Sequence, residues 1–208
     1  AHKPMAGNEN LMQTLNEKVL KTVQRSGMNY FLITEKEQQG SDFGSRFSNA
    51  IQGVFDKGYE KVICLGNDTP QLSVEHINTA VDCLNSGLAV NGPSLDGGFY
   101  LMGIHRSQFS REAFENLPWQ TSSLASSYLD MLDMLHVDFE LLDHLADLDS
   151  LEDLHQFIKG KDARNPLIRI ILQCIDQLNE LIGIFILQKI GYAFCGGNHN
   201  KGSPQPAA

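Results

Sequence analysis

The 208-residue chain is 42% hydrophobic and 8% aromatic, with 25 acidic against 16 basic side chains and a formal net charge of −9. This composition excludes fibrous, collagenous and mostly disordered classes, and the length gives one self-sufficient core with an appendage. An acidic chain without a Lys/Arg cluster is repelled by a phosphate backbone, so nucleic acid is not expected as its partner.

The apolar residues Leu11, Leu15, Val19, Leu20 and Val23 recur at helical spacing, and Gly27 follows them, which predicts a helix over Asn10–Val23. Tyr30–Thr34 (YFLIT) and Lys61–Leu65 (KVICL) are short continuous apolar runs, the pattern of strands covered on both faces. Between them Phe47, Ala50, Ile51, Val54 and Phe55 share one helical face that closes at Gly58. Ser73 reads as the N-cap of a helix through Leu84, with strands expected at Leu88–Val90 and Gly98–Ile104. A helix over Ser122–Leu135, a strand over Val137–Leu142 and a helix over Ser150–Ile158, opened by a box of Ser150 and Asp153, complete the order. Alternating helices and buried strands predict an α/β fold with a mainly parallel sheet, with Lys61–Leu65 central in it.

The polar stretch Gly160–Asn165 marks the end of a first domain at about residue 160. Residues 164–192 form an apolar helical extension, with Ile and Leu on most faces between residues 167 and 190, and this surface predicts domain packing or a homodimer. Arg169, Asp176 and Glu180 interrupt it, so no membrane span is expected. The Gly-, Asn- and Pro-rich stretch at 195–208 reads as a disordered tail. Four scattered cysteines without a C-x-x-C pair, and no secretory leader, predict reduced thiols and a cytoplasmic protein.

Three stretches carry candidate chemistry. In Gly66-Asn67-Asp68-Thr69-Pro70 a carboxylate follows directly on a buried strand, the position at which open α/β sheets bind ligands. Such an oxygen donor suits Mg²⁺ or Mn²⁺ holding a diphosphate; an Asx turn before Pro70 is the plainer alternative. In Asn91-Gly92-Pro93-Ser94-Leu95-Asp96-Gly97-Gly98 the paired glycines imply a tight bend or close approach to a ligand, or an ordinary Asp-Gly turn. In Asp147-Leu148-Asp149-Ser150 two carboxylates spaced by one residue precede a helix.

Taken in order with Trp119-Gln120-Thr121, these motifs resemble the DUF2064 family over roughly residues 3–158. This is the selenodomain-associated transferase type 1 group, within the GT-A-like nucleotide-diphospho-sugar transferase superfamily. The resemblance implies a GT-A, Rossmann-like sheet that binds a nucleotide or nucleotide sugar with Mg²⁺ or Mn²⁺. It implies Asp68 as the catalytic and metal aspartate, Asp96 as a second catalytic carboxylate beside Gly97 and Gly98, and Asp147 as a further metal ligand, with Asp149 as its fallback. It also implies Arg46, Asn67, Thr69, Gly97, Gly98, Trp119 and Thr121 along the substrate; for Trp119, packing is an equal alternative. Family members open with a strand and a G-x-x-KTRL-like nucleotide loop. Here His2-Lys3-Pro4-Met5 stands at about that point, so Lys3 alone represents the basic residue of the loop. Two functions follow as expectations: a metal-dependent glycosyl- or nucleotidyltransferase, or a degenerate GT-A-like binding or scaffolding module.

Overall fold

The computed structural model describes residues 9–178, and the chain divides into two compact units at Phe157/Ile158. The first unit is an α/β layer structure. Its elements run α1 (Glu9–Ser26), α2 (Phe43–Phe55), β1 (Lys61–Leu65), α3 (Val74–Asn85), β2 (Ala89–Pro93), β3 (Phe99–His105), α4 (Arg111–Glu115), α5 (Leu124–Met134), β4 (Phe139–Leu141) and α6 (Leu151–Ile158). A 3₁₀ turn at Arg106–Gln108 follows β3.

Local chemistry sets the helix boundaries. Asp42 accepts from the Ser45 amide and Ser73 from the His76 amide, so α2 and α3 each begin on a side-chain cap. The Ser150 and Asp153 pair closes at the head of α6 as expected, with the Ser150 hydroxyl 2.6 Å from Asp153 Oδ2. Gly27 ends α1 in the left-handed region, at φ 72°.

The four strands lie in the order β1-β3-β2-β4. β3 is antiparallel to both β1 and β2, whereas β2 and β4 are parallel. The α/β class with flanking helices is as the sequence implies, and β1, β2 and β4 share one direction, but the expected parallel pairing is interrupted because β3 runs back between β1 and β2. Only five residues separate β2 from β3 (94–98), enough for a tight turn and too few for a parallel crossover. The expectation that Lys61–Leu65 is central is corrected: among the described residues β1 is an edge. Tyr30–Thr34 is not a strand but exposed irregular chain, since no neighbouring backbone pairs with it.

Both faces of the sheet are covered, which explains the lack of polar alternation in the strands. On one face Ile51 and Phe55 of α2, Phe114 of α4, and Leu124, Tyr128 and Leu132 of α5 pack over Ala89, Met102 and Ile104. On the other, Ala80 and Leu84 of α3 pack over Val90 and Leu101, with Tyr100 and Leu72. Two glycines let these layers close. A Cβ on Gly92 would lie 2.4 Å from Tyr100 Cζ, and one on Gly103 would lie 2.4 Å from Val90 Cγ1.

In the second unit residues 166–178 are helical, with Ile168, Ile171, Cys174 and Ile175 buried. The remainder of the expected 164–192 extension, the 195–208 tail and Lys3 lie outside the described residues. None of the described helices is long and apolar enough to cross a membrane.

The two glycine environments give a paired test. Gly103→Ala should cost about 1–3 kcal/mol through overpacking against Val90 and Leu84. Gly53→Ala, inside α2 with open space at its Cβ, should stabilise by about 0.5–1 kcal/mol. Urea midpoints of the two variants check both signs.

Candidate functional site

Because β1, β2 and β4 run the same way, their carboxyl ends lie along one edge of the sheet, and each is followed by a loop that carries an aspartate. Asp68 follows β1, Asp96 follows β2 and Asp147 follows β4. Two contacts fasten the outer loops together across the sheet. The Thr69 hydroxyl donates to Asp147 Oδ1, and the Leu148 amide donates to the Asp68 carbonyl at 3.0 Å. The β2 and β4 loops join as well, through Leu95 N to Leu145 O at 3.0 Å and Leu145 N to Pro93 O at 3.2 Å.

Asp147 is the electrostatic centre of this arrangement. Its carboxyl is pushed up to about 6, first by burial and then by the negative charges of Asp68 and Asp96, against the lowering effect of the Thr69 hydroxyl. Ser94 is a residue that sequence reading missed. Its buried hydroxyl faces Asp147 and lowers the carboxyl further, without closing a hydrogen bond of full geometry. The signal was a small polar residue between Pro93 and the Asp96-Gly97-Gly98 turn.

Asp96 is exposed, and its Oδ1 accepts the Gly98 amide at 2.9 Å, so the local Asp-Gly turn is real and one carboxylate oxygen serves it. Gly97 sits at φ 91°, and a Cβ there would lie 2.0 Å from the Ser122 carbonyl oxygen. The Ala125 amide donates to the Gly97 carbonyl at 2.9 Å, which brings the start of α5 against this turn. Gly97 is therefore required twice over, by its backbone conformation and by the close approach of a neighbouring chain.

The remaining expected substrate residues take other partners. Asn67, exposed, donates to Asn16 on α1 at 2.7 Å, and Arg46 Nε donates to the Asp42 carbonyl at 3.2 Å, at the head of its own helix. Thr121 bonds the Pro118 carbonyl at 2.7 Å. Trp119 packs among Phe43, Phe47 and Phe99, with ring centroids 4.7–6.0 Å away, and its indole N–H donates to the Phe114 carbonyl at 2.7 Å. Gly44 makes room for that indole. The Asp149 amide donates to Asp153 Oδ2 at 3.2 Å as part of the cap of α6.

Whether a divalent ion suits this site can be judged from its donors. Among the described residues no group of three His, Cys, Asp or Glu side chains is placed to hold a metal. Magnesium held against a diphosphate needs only one or two protein carboxylates, since phosphate oxygens and water supply the rest. A half-buried carboxyl loaded by two neighbouring negative charges is a donor set that a cation would relieve, so the residues fit.

The raised Asp147 value carries a stability prediction. An acid held at about 6 in the folded chain but near 3.8 when unfolded binds its proton more tightly when folded, so stability falls as pH rises between these values. At 1.36 kcal/mol per unit the loss reaches about 2–3 kcal/mol above pH 6. Asp147→Asn keeps an acceptor for Thr69 and removes the charge. It should therefore melt several degrees above the wild type at pH 7.5 without metal, with the gap closing near pH 4; an equal or lower melting temperature at pH 7.5 would contradict this account.

The chain matches, with 22% identity and a TM-score of 0.68, the crystal structure of a "putative nucleotide-diphospho-sugar transferase" from Desulfovibrio desulfuricans G20, over 81% of this chain and 85% of that one. The two share a fold. No curated protein matches the chain. The family model of DUF2064, "Uncharacterized protein conserved in bacteria", matches residues 16–121, half of the chain, and the protein belongs to that family.

Proposed function

We propose that this protein is a transferase of the glycosyl- or nucleotidyltransferase type, acting on a nucleotide diphosphate or nucleotide sugar with a divalent cation. The observation that carries this reading is the half-buried Asp147 carboxyl, fixed by Thr69 and loaded by Asp68 and Asp96 at the carboxyl ends of three co-directional strands. Ligands in open α/β sheets bind at such an edge. The fold shared with the Desulfovibrio protein points to the same ligand class.

In this reading Asp68 and Asp147 hold Mg²⁺ or Mn²⁺, with Asp149 in reserve. The ion, when bound, offsets the charge of a departing diphosphate. Thr69 and Ser94 orient the Asp147 carboxylate. Asp96 serves the acceptor side, on a turn that is held by the Gly98 amide and by the Ala125 amide of α5 on the Gly97 carbonyl. A chain of net charge −9 offers an unassisted diphosphate little attraction near clustered carboxylates, so binding depends on the cation.

A second reading is a binding or scaffolding module of the same fold that takes its ligand without metal; it draws on Arg46 and Asn67, expected along the substrate, bonding within the protein instead. One experiment separates the two. In calorimetric titrations with a panel of nucleoside diphosphates and nucleotide sugars, Mn²⁺ should strengthen binding at least tenfold over EDTA, and Asp68→Ala should remove that gain while leaving the melting curve cooperative. Equal affinity in EDTA and in Mn²⁺ would select the module.

A further inference from the structure

Next to the Asp96 turn lies a group of aromatic rings that the core does not fully cover. Phe99 follows Gly97 and Gly98 directly, and its ring lies 6.0 Å from that of Trp119. Trp119 in turn lies 4.7 Å from Phe47 and 5.2 Å from Phe43, and Phe43 stacks on Phe47 at 6.0 Å. All four are partly exposed, and Phe43 keeps 42% of its surface open. Its place is set in advance. The box of Asp42 and Ser45 fixes the first turn of α2, and Gly44 lets Trp119 come against that turn. The indole N–H is held by the Phe114 carbonyl, so Trp119 props the Phe43 ring and Phe43 offers the open surface.

The loop after Trp119 supplies a polar group. Gln120 stands at φ 60°, in the left-handed region that a non-glycine residue occupies at a cost. Its neighbours hold it there: Trp119 N donates to Leu117 O at 2.8 Å, Leu124 N to Thr121 O at 3.2 Å and Ala125 N to Gly97 O at 2.9 Å, the last tying this loop to the Asp96 turn. Gln120 is exposed, and among the described residues its carboxamide has no hydrogen-bond partner. The backbone is thus held at a cost for a side chain that bonds nothing in the protein.

We propose that Phe43 and Gln120 form an acceptor subsite for a hexose ring, with Phe43 under a C–H face of the sugar and the Gln120 carboxamide on its hydroxyls; this rests on the transferase reading of the adjacent carboxylates. A pyranose is amphipathic in the matching way, with C–H groups on its faces and hydroxyls around its rim. An aromatic surface takes the faces through dispersion and covered area, and a carboxamide, which both donates and accepts, takes the hydroxyls. Because the ring is already fixed, stacking on it orders little that was free before. The position beside the Asp96 turn, on the acceptor side in that reading, favours a sugar over a nucleobase as the occupant.

Trp119 is the single tryptophan of the chain, so its fluorescence reports on the Phe43 ring 5.2 Å away. Titration of the full chain with the methyl glycosides of glucose, galactose and mannose should shift this emission saturably for at least one sugar, in the range of about 1–50 mM that suits an isolated ring. Glycerol should leave it unchanged. Phe43→Ala and Gln120→Gly should each weaken the response about tenfold, while the nucleoside diphosphate that binds best with Mn²⁺ keeps its calorimetric affinity. Glycine suits φ 60°, so Gln120→Gly carries the test if the Phe43 variant fails to fold. The proposal is overturned if no glycoside shifts the emission up to about 100 mM, or if glycerol shifts it equally. It is also overturned if either folded variant responds as the wild type does, or if Phe43→Ala loses nucleotide affinity instead, which would put the ring under the base. The reading beneath it fails separately, through equal nucleotide affinity in EDTA and in Mn²⁺ with the glycoside response intact.

Discussion

The site depends on one cross-sheet fastening: the Thr69 hydroxyl on Asp147, reinforced by the Leu148 amide on the Asp68 carbonyl. These two contacts join loops nearly eighty residues apart in sequence. Without them the loops that carry Asp68 and Asp147 would be independent of one another. With them a carboxyl is held where burial and two neighbouring negative charges raise its proton affinity. Charge held this way costs stability.

The scaffold beneath allows that concentration of charge. Helices α2, α4 and α5 seal one face of the sheet and α3 the other, so the strands are fixed by apolar packing on both sides and no polar group of the site is needed to hold them. The close approaches at Gly92 and Gly103 leave little slack between layers. The reversed strand β3 has its own consequence. It places the Asp96 turn at the β2 end, where the other two carboxylates already are, and Gly97 meets the backbone of Ser122 there. With β3 lying between β1 and β2, β1 is the outer strand among the described residues.

Much of the local structure was legible in the residues. The helix starts at Ser73 and Ser150, the stop at Gly27 and the strand at Lys61–Leu65 follow from side-chain chemistry within a few positions, although that strand is half-buried rather than buried. Asp68 was legible as a candidate because it follows a strand, whereas Asp96 and Asp147 stood in a glycine turn and ahead of a helix and were singled out by the family resemblance; the Gly97 bend was legible because paired glycines after an Asp signal a tight turn. Trp119 was open between stacking on a ligand and packing; three phenylalanine rings and a committed indole N–H give it a packing role. The short α4 was not legible, since its five residues hold too little periodicity to register.

The sequence by itself determined which segments are apolar, where helices are capped and which carboxylates stand at strand ends, because these depend on spacing and on neighbours along the chain. Tertiary structure alone decided strand direction and neighbourhood. An apolar run such as Tyr30–Thr34 has the composition of a strand, yet it becomes one only when another backbone lies alongside to accept its hydrogen bonds, and among the described residues none does. The proton affinity of Asp147 belongs to the same class. It arises from burial and from charges brought from Asp68 and Asp96, distances that no local pattern encodes.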